Sequence, residues 1–168
     1  MSEIAIKRIE AEKQNKTGNL DLRGLGLTTL PEELQALHWL KELKLNHNDI
    51  QDIQPLSKIT NLQSLNLDRN DIHDLYPLET LTQLRSLDLD SNQIKNLQPL
   101  NKLTRLDSLS VYNNLIQDIT PLDKFSRLLG GHRRNHTLPH LKTSGRHHTL
   151  QRHGSCPKGD GQTRFQNR

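Results

Sequence analysis

Residues 84–104, LRSLDLDSNQIKNLQPLNKLT, form one unit of a repeat that decides the fold. An asparagine, a proline and several leucines of this unit recur at a constant step of 22 residues. The recurring polar and proline positions are Asn48, Asn70, Asn92 and Asn114, and Pro55, Pro77, Pro99 and Pro121. A first, variant unit at 19–37 is one residue longer and has Leu25 near the asparagine position. Such self-similarity is typical of repeat architectures in which each unit builds one coil.

Each unit predicts one short strand, a turn and a short helical segment. Leucines that alternate with polar residues give one face of the strand an apolar surface. The proline that follows fits the first position of a helical turn, where its missing N–H costs little. Because no unit can bury its leucines alone, each coil is expected to stack on the next over 19–128. A capping helix is expected within 1–18, with Ile6 and Ile9 on its apolar side and Ile4 on the flank.

The asparagine column predicts a structural role. At the end of each strand the chain bends inward and leaves backbone groups that the sheet cannot pair. An amide side chain both donates and accepts, so a row of asparagines can satisfy these groups coil by coil. On this interpretation the change Asn92→Ala costs about 1–3 kcal/mol, because buried polar groups lose their partners.

The unit LxxLxLxxNxIxxIxPLxxLT resembles the leucine-rich repeat family, in the 22-residue form of internalins and of the leucine-rich regulatory subunit of type 1 protein phosphatase. The resemblance covers 19–128 and implies an α/β fold: a right-handed solenoid with a parallel sheet on its concave side and short helical turns on the convex side. The N-terminal helix with LDLRGLGLTTLPEEL is similar to the repeat domains of bacterial Roco proteins. The chain has no GxxxxGK[ST] phosphate loop, so it cannot supply the GTPase activity of those proteins.

Charge is distributed unevenly along the 168 residues. Residues 130–168 have eight Lys or Arg and one acid, Asp160, whereas 1–129 have 15 basic and 18 acidic side chains. The single cysteine, Cys156, excludes an intrachain disulfide. The charged N-terminus does not resemble a secretion signal, and no apolar run approaches the roughly 20 residues of a membrane helix. These features predict a cytoplasmic protein with no membrane contact.

The concave side of the sheet is the predicted binding surface. Neighbouring strands lie about 4.8 Å apart, so Asp68 and Asp90 are neighbours in one column, and Asp88 shares their face. We expect these carboxylates to converge beside Tyr112 and to bind a protein partner with a basic patch, with Tyr112 as an aromatic anchor. The alternative is a solvated acidic face that Arg69 partly neutralises. The predicted partner-binding residues are Lys44, Asn46, His47, Asn66, Asp68, Arg69, Asp88, Asp90 and Tyr112.

Catalysis and cofactor binding have little support in the sequence. It contains neither HExxH nor CxxC, and paired carboxylates for acid–base chemistry need a desolvated cleft rather than an open surface. No catalytic residue, metal site or cofactor is therefore predicted. The chain is expected to be a non-catalytic interaction module, and it resembles part of a bacterial signalling protein.

The basic, His-rich segment 129–168 allows several interpretations. Six of its residues are histidines and one is Cys156, but their spacing matches no established zinc site. Its eight cations could bind nucleic acid electrostatically, although aromatic residues for base stacking are nearly absent. Few apolar residues favour a disordered tail or a degenerate sixth repeat, and the abrupt loss of acids would also follow from a reading-frame slip. The nucleic-acid binder is the alternative function.

Overall fold

The computed structural model describes residues 2–124. Within them an α-helix, α1, spans Glu3–Asn15 and precedes five coils, each with one strand and one 3-10 helix. The strands are β1 (Asn19–Asp21), β2 (Glu42–Lys44), β3 (Ser64–Asn66), β4 (Ser86–Asp88) and β5 (Ser108–Ser110). The 3-10 helices are η1 (Glu32–Ala36), η2 (Gln54–Lys58), η3 (Tyr76–Thr80), η4 (Gln98–Lys102) and η5 (Thr120–Lys124).

The five strands form one parallel sheet in sequence order, as the repeat predicts. Leu43 pairs with Leu65 and Leu65 with Leu87, so the sheet register reproduces the sequence step. Leu20 pairs with Leu43, which confirms that the first coil is one residue longer and places Leu25 level with Asn48. Within residues 2–124, β1 and η1 contact α1, and otherwise each strand and each 3-10 helix contacts only its counterparts in the adjacent coils. The described chain is thus a solenoid.

Leucine and isoleucine side chains from all five coils form one continuous core. The middle residue of every strand is buried, and its two neighbours point away from the core. Further core leucines come from the 3-10 helices, among them Leu56, Leu78 and Leu100, which are fully buried. Full burial of a leucine is worth roughly 1.5–3 kcal/mol, so stacking of these layers is the main stabilising force.

A second polar column caps the 3-10 helices and was not predicted. Asp52 Oδ1 accepts a hydrogen bond from the Gln54 N–H at 2.8 Å, and Asp74 Oδ1 accepts one from the Tyr76 N–H at 2.9 Å. Asn96 and Asp118 repeat this contact in the next two coils. Each side chain satisfies an N–H that has no partner inside the short helix. The proline at the start of η2, η3 and η4 lies beside this cap, as expected.

The asparagine column has the predicted structural role. Asn70 Nδ2 donates to the Leu45 and Leu67 carbonyl oxygens at 3.1 and 3.0 Å, and its Oδ1 accepts from the Ile50 N–H at 3.1 Å. Asn48, Asn92 and Asn114 make the equivalent contacts with their own and the preceding coil. Each amide therefore joins two coils through backbone groups that the sheet leaves unpaired.

The helix α1 lies against the first coil, but its buried side differs from the predicted one. Ala5, Ile9 and Glu12 are buried, whereas Ile4 is 53% exposed and Ile6 is half-buried. Ile9 was predicted correctly, Ile6 is buried less than predicted, and Ile4, which was expected only on the flank, is exposed. Residues five, nine and twelve lie at i, i+4 and i+7 and share one helix face, so a small and a charged residue complete the contact.

The residue before each asparagine has a left-handed backbone. His47, Arg69, Ser91 and Asn113 have φ values of 59, 54, 52 and 56°, and Gly24 occupies the same position in the first coil with φ 64°. This conformation costs a non-glycine residue roughly 1–2 kcal/mol. The sharp bend that ends each strand is therefore maintained at a cost.

Replacing Ser91 with glycine should raise the free energy of unfolding by about 0.5–1 kcal/mol. Glycine removes the steric cost of the left-handed backbone, and this gain exceeds the extra chain entropy that glycine loses on folding. Thermal denaturation of the two proteins measures the difference. Ser86→Gly, in the extended strand of the same coil, is the matched control and should lower stability, and an equal loss at both positions would contradict the argument.

Candidate functional site

Polar side chains project from the sheet on the side opposite the leucine core, and we call this surface the concave face. Its members are the outward residues of the five strands and of the segments that directly follow them. They are Asn19, Asp21, Arg23, Glu42, Lys44, Asn46, His47, Ser64, Asn66, Asp68, Arg69, Ser86, Asp88, Asp90, Ser91, Ser108, Ser110, Tyr112 and Asn113. All nine predicted partner-binding residues lie on it.

Charges on the first two coils are compensated within each coil. Arg23 Nη2 lies 2.9 Å from Asp21 Oδ2, and Lys44 Nζ lies 3.0 Å from Glu42 Oε1. The Asp21 carboxylate also accepts hydrogen bonds from the Arg23 backbone N–H and guanidinium. Burial raises the pKa of Asp21, but these contacts outweigh it and hold the pKa below its ordinary value. This end of the concave face therefore presents little net charge.

Asp68, in the third coil, lies between the guanidinium of Arg69 and the imidazole of His47. Its Oδ2 is 3.8 Å from Arg69 Nε and 4.0 Å from His47 Nε2. Asn66 Oδ1 fixes the local backbone by accepting a hydrogen bond from the Asp68 N–H at 2.9 Å. Arg69 thus neutralises part of the acidic surface, which is a feature of the alternative interpretation, the solvated acidic face.

Asp90, in the fourth coil, is bound by neutral donors of the fifth. Its Oδ1 accepts hydrogen bonds from Ser110 Oγ and from the Tyr112 backbone N–H, both at 2.6 Å. Asp88 Oδ1 accepts the Asp90 N–H at 3.1 Å, and Asn66 Nδ2 lies 3.5 Å from Asp88 Oδ2. Among residues 2–124 no cationic side chain forms an ion pair with Asp90. The negative charge of Asp90 is therefore held in place without being compensated there.

Tyr112 combines a fixed backbone with an exposed ring. Its N–H is held by Asp90, and the Ser91 N–H donates to its carbonyl oxygen at 2.8 Å. Its side chain is 48% exposed. Aromatic rings that are fixed at the backbone lose little entropy when a partner covers them, which is why they often anchor interfaces.

The predicted convergence of Asp68, Asp88 and Asp90 is only partly observed. The three carboxylates share one face, but their described partners differ: Arg69 and an imidazole for Asp68, and backbone, amide and hydroxyl groups for the other two. In the described range 2–124, no three His, Cys, Asp or Glu side chains are arranged to hold a metal ion. The carboxylates thus form a line of separately fixed charges along the face.

Asn46 occupies the column position between Arg23 and Asp68. Its Oδ1 is buried, and no residue of the described part donates a hydrogen bond to it. A buried acceptor without a donor weakens the local structure. A cationic or N–H-bearing group arriving from the open side could pair with this oxygen after a rotation of the side chain.

Sequence reasoning missed two elements around this surface. Ser110 was recognised as outward-facing but not as the hydroxyl that fixes Asp90, although it lies on the adjacent strand of the column that contains Asp88. The contact between Glu12 and Trp39 was also missed, because the two residues are 27 positions apart in the chain.

The histidines and the cysteine of 129–168, which the sequence analysis considered as zinc ligands, lie outside the described residues. None of the helices within 2–124 is long and apolar enough to cross a membrane.

Comparison with known proteins identifies the repeat. A family model that describes two copies of a leucine-rich repeat matches residues 38–80, 60–102 and 82–124. A search of curated protein sequences gave no significant match. Among solved structures the chain is similar to internalin C2 of Listeria monocytogenes, with 32% identity and a TM-score of 0.65 over 75% of this chain and 51% of that one.

Two further structures support the same relationship. An internalin F of Listeria monocytogenes is 37% identical, with a TM-score of 0.57 over 59% of this chain and 30% of that one. A leucine-rich repeat protein of Leptospira interrogans is 28% identical, with a TM-score of 0.59 over 65% of this chain and 29% of that one. The match thus spans about half or less of the length of these proteins. The family model, the sheet register and these structures together show that the chain belongs to the leucine-rich repeat family, in an internalin-like form.

Proposed function

We propose that the chain is a non-catalytic module that binds another protein on its concave face. Leucine-rich repeat proteins are generally protein-interaction modules, which supports this class of function. The observation that carries the proposal is the exposed Tyr112, whose backbone N–H binds the Asp90 carboxylate, a charge with no ion-pair partner among residues 2–124. The proposed contact residues are Lys44, Asn46, His47, Asn66, Asp68, Arg69, Asp88, Asp90 and Tyr112.

The chemistry of this surface favours a partner with a basic patch. Lys44 is already paired with Glu42, so the first coils offer little attraction for charge of either sign. Asp90 and Tyr112 offer a carboxylate and an aromatic ring side by side, and an arginine can contact both. The acidic end of the concave face, which carries Asp88, Asp90 and Tyr112, is therefore the proposed centre of the interface.

The proposed mechanism is rigid presentation. Backbone hydrogen bonds continue past each strand, for example from the His47 N–H to the Asp68 carbonyl oxygen at 2.9 Å. The contact side chains are fixed by their neighbours before a partner arrives, so little conformational entropy is lost on binding. A role in the cytoplasm, within a bacterial signalling protein, is part of the same proposal.

Affinity capture with the parent protein and the triple variant Asp88→Asn/Asp90→Asn/Tyr112→Ala tests the proposal. The amides keep the acceptor oxygens while removing the charges, and the alanine removes the anchor. Loss of a central aromatic and a neighbouring charge typically costs about 2–4 kcal/mol, so the affinity should fall roughly 30-fold or more. The captured partner is then titrated against each protein to measure this change.

The matched control is the variant Glu32→Gln/Glu33→Gln/Tyr76→Ala. It also removes two acids and one tyrosine, but these exposed residues belong to the 3-10 helices η1 and η3. Binding should be unchanged in this variant. Equal recovery of the partner by parent and concave-face variant would overturn the choice of surface.

A further inference from the structure

The two parts of the chain carry opposite charge. The described residues 2–124 include 14 basic and 18 acidic side chains, a net charge of −4. Residues 130–168 contain eight Lys or Arg and one acid, a net charge of +7. Such a segment must attract anionic surfaces, and the nearest one belongs to the same molecule.

We propose that the basic segment 130–168 binds the acidic end of the concave face of its own chain. This inference rests on the proposed function, because it assigns to the same surface an internal occupant that competes with the external partner. The contacts are between Arg or Lys side chains of the segment and the line of carboxylates that includes Asp90, with Tyr112 as the ring on which a guanidinium stacks.

Connectivity favours this occupant over others. The last described element, η5 (Thr120–Lys124), belongs to the coil that carries β5 and Tyr112. Layers of secondary structure pack about 10 Å apart, and ten extended residues span up to about 33 Å. The chain is therefore long enough for residues beyond about 134 to contact the concave face, and covalent attachment would give them an effective concentration of about millimolar order.

The chemistry of the contact predicts a weak and reversible interaction. Ion pairs at a solvent-exposed surface are individually weak and are screened by salt. Only several of them together hold the segment, so a partner with a better-ordered basic patch displaces it. Because 130–168 is basic, like the patch of the proposed partner, the two are expected to compete for the same carboxylates.

The full-length protein can be tested with a nitroxide label on Cys156, the single cysteine of the chain. Paramagnetic broadening of backbone amide NMR signals reports which residues lie near the label. We expect the signals of Ser91 and Tyr112 to lose about half their intensity or more at low salt, and to recover when salt screens the charges. Amides of η1 and η2, in the first two coils, are the internal control and should keep their intensity.

Two variants make the result specific. Asp90→Asn keeps the acceptor oxygen but removes the charge, and it should reduce the broadening at Tyr112. Arg133→Gln/Arg134→Gln/Arg146→Gln/Arg152→Gln removes half of the cations of the segment and should have the same effect. Glu32→Gln/Glu33→Gln, the control for Asp90→Asn, removes two negative charges from η1 and should leave the broadening unchanged.

Several outcomes would overturn the inference. The first is equal broadening over the concave face and η1, and the second is no broadening. The third is broadening in isotope-labelled chains without a nitroxide when they are mixed with nitroxide-labelled chains, because this would indicate binding between molecules. Failure of the proposed function is distinguishable, because partner recovery would then be equal for the parent and the Asp88→Asn/Asp90→Asn/Tyr112→Ala variant while the broadening persists. If the inference alone fails, partner recovery still depends on the concave face.

Discussion

Replacing Asn92 with alanine should lower the free energy of unfolding by about 3 kcal/mol, the upper end of the range for an unpaired buried polar group. The Ile72 N–H would lose its only described acceptor, the Asn92 Oδ1 at 3.0 Å. The Leu67 and Leu89 carbonyl oxygens would each keep a second donor, Asn70 Nδ2 at 3.0 Å and Asn114 Nδ2 at 2.8 Å. The predicted cost thus arises from one orphaned N–H, a small cavity, and the loss of three contacts that Asn92 Nδ2 makes with the carbonyl oxygens of Leu67, Leu89 and Asp90.

Urea denaturation of the parent and Asn92→Ala proteins measures this loss. Asn96→Ala is the matched control, since Asn96 belongs to the same coil but is exposed and, within residues 2–124, accepts only the Gln98 N–H at 2.9 Å. Loss of such a capping contact costs about 1 kcal/mol. If the two variants were equally stable, the column would not have the structural role assigned to it.

The change Glu12→Ala should have an effect of similar size, about 3 kcal/mol, because it leaves several donors without an acceptor. Glu12 is buried, and Oε1 accepts the Gly18 N–H at 2.8 Å and the Trp39 indole N–H at 3.0 Å. Oε2 accepts the Thr17 hydroxyl and, at 3.2 Å, its backbone N–H. This carboxylate therefore fastens the helix α1 to the first two coils.

The same contact predicts how stability depends on pH. Burial raises the pKa of Glu12, but the hydrogen bonds from Thr17, Gly18 and Trp39 to the charged carboxylate outweigh burial and hold the pKa below its ordinary value of 4.5. A carboxylate with a lowered folded-state pKa contributes stability that is complete well above pH 4.5 and is lost as the pH falls through the folded value. The Glu12→Gln protein should lack this part of the acid dependence.

Thermal melts of the parent, Glu12→Ala and Glu12→Gln proteins at neutral and acidic pH check both statements. Glu10→Ala is the control on the same helix, because Glu10 is exposed and pairs only with Lys13, at 2.6 Å, among the described residues. Exposed pairs of this kind contribute about 0–1 kcal/mol. A loss in Glu10→Ala as large as in Glu12→Ala would show that helix charge, rather than the fastening contact, sets the stability.

Much of this fold could be predicted from the sequence because one physical constraint is repeated in every coil. The spacing of Leu43, Leu65 and Leu87 fixes the strand register, and the asparagine column marks each inward bend. The role of α1 was predicted, but its buried side was not. An isolated helix shows only its own periodicity, whereas its orientation here depends on the distant residue Trp39.

The candidate site was predictable as a set of columns but not as a set of contacts. Period-two alternation places Asp68, Asp88 and Asp90 on one face whatever their chemistry. Which groups these carboxylates bind depends on rotamers and on short approaches such as that of Ser110 Oγ to Asp90. Neither is encoded in the spacing of residue types, so a convergent cluster was expected where the structure has a line of fixed charges.

Because each described coil contacts only the coils next to it, a whole coil can be removed without loss of the contacts between the others. Removal of 60–81 would join Ile59 to Thr82, which occupies the same repeat position as Thr60. Asn92 would then bridge to the coil of Asn48, and neither neighbour would need a new surface. Growth or shortening by whole coils is therefore structurally permitted, and the first coil accommodates one extra residue without loss of the sheet register. Insertion or deletion of one whole coil is therefore the simplest change in length for this solenoid. The number of coils sets the length of the concave face.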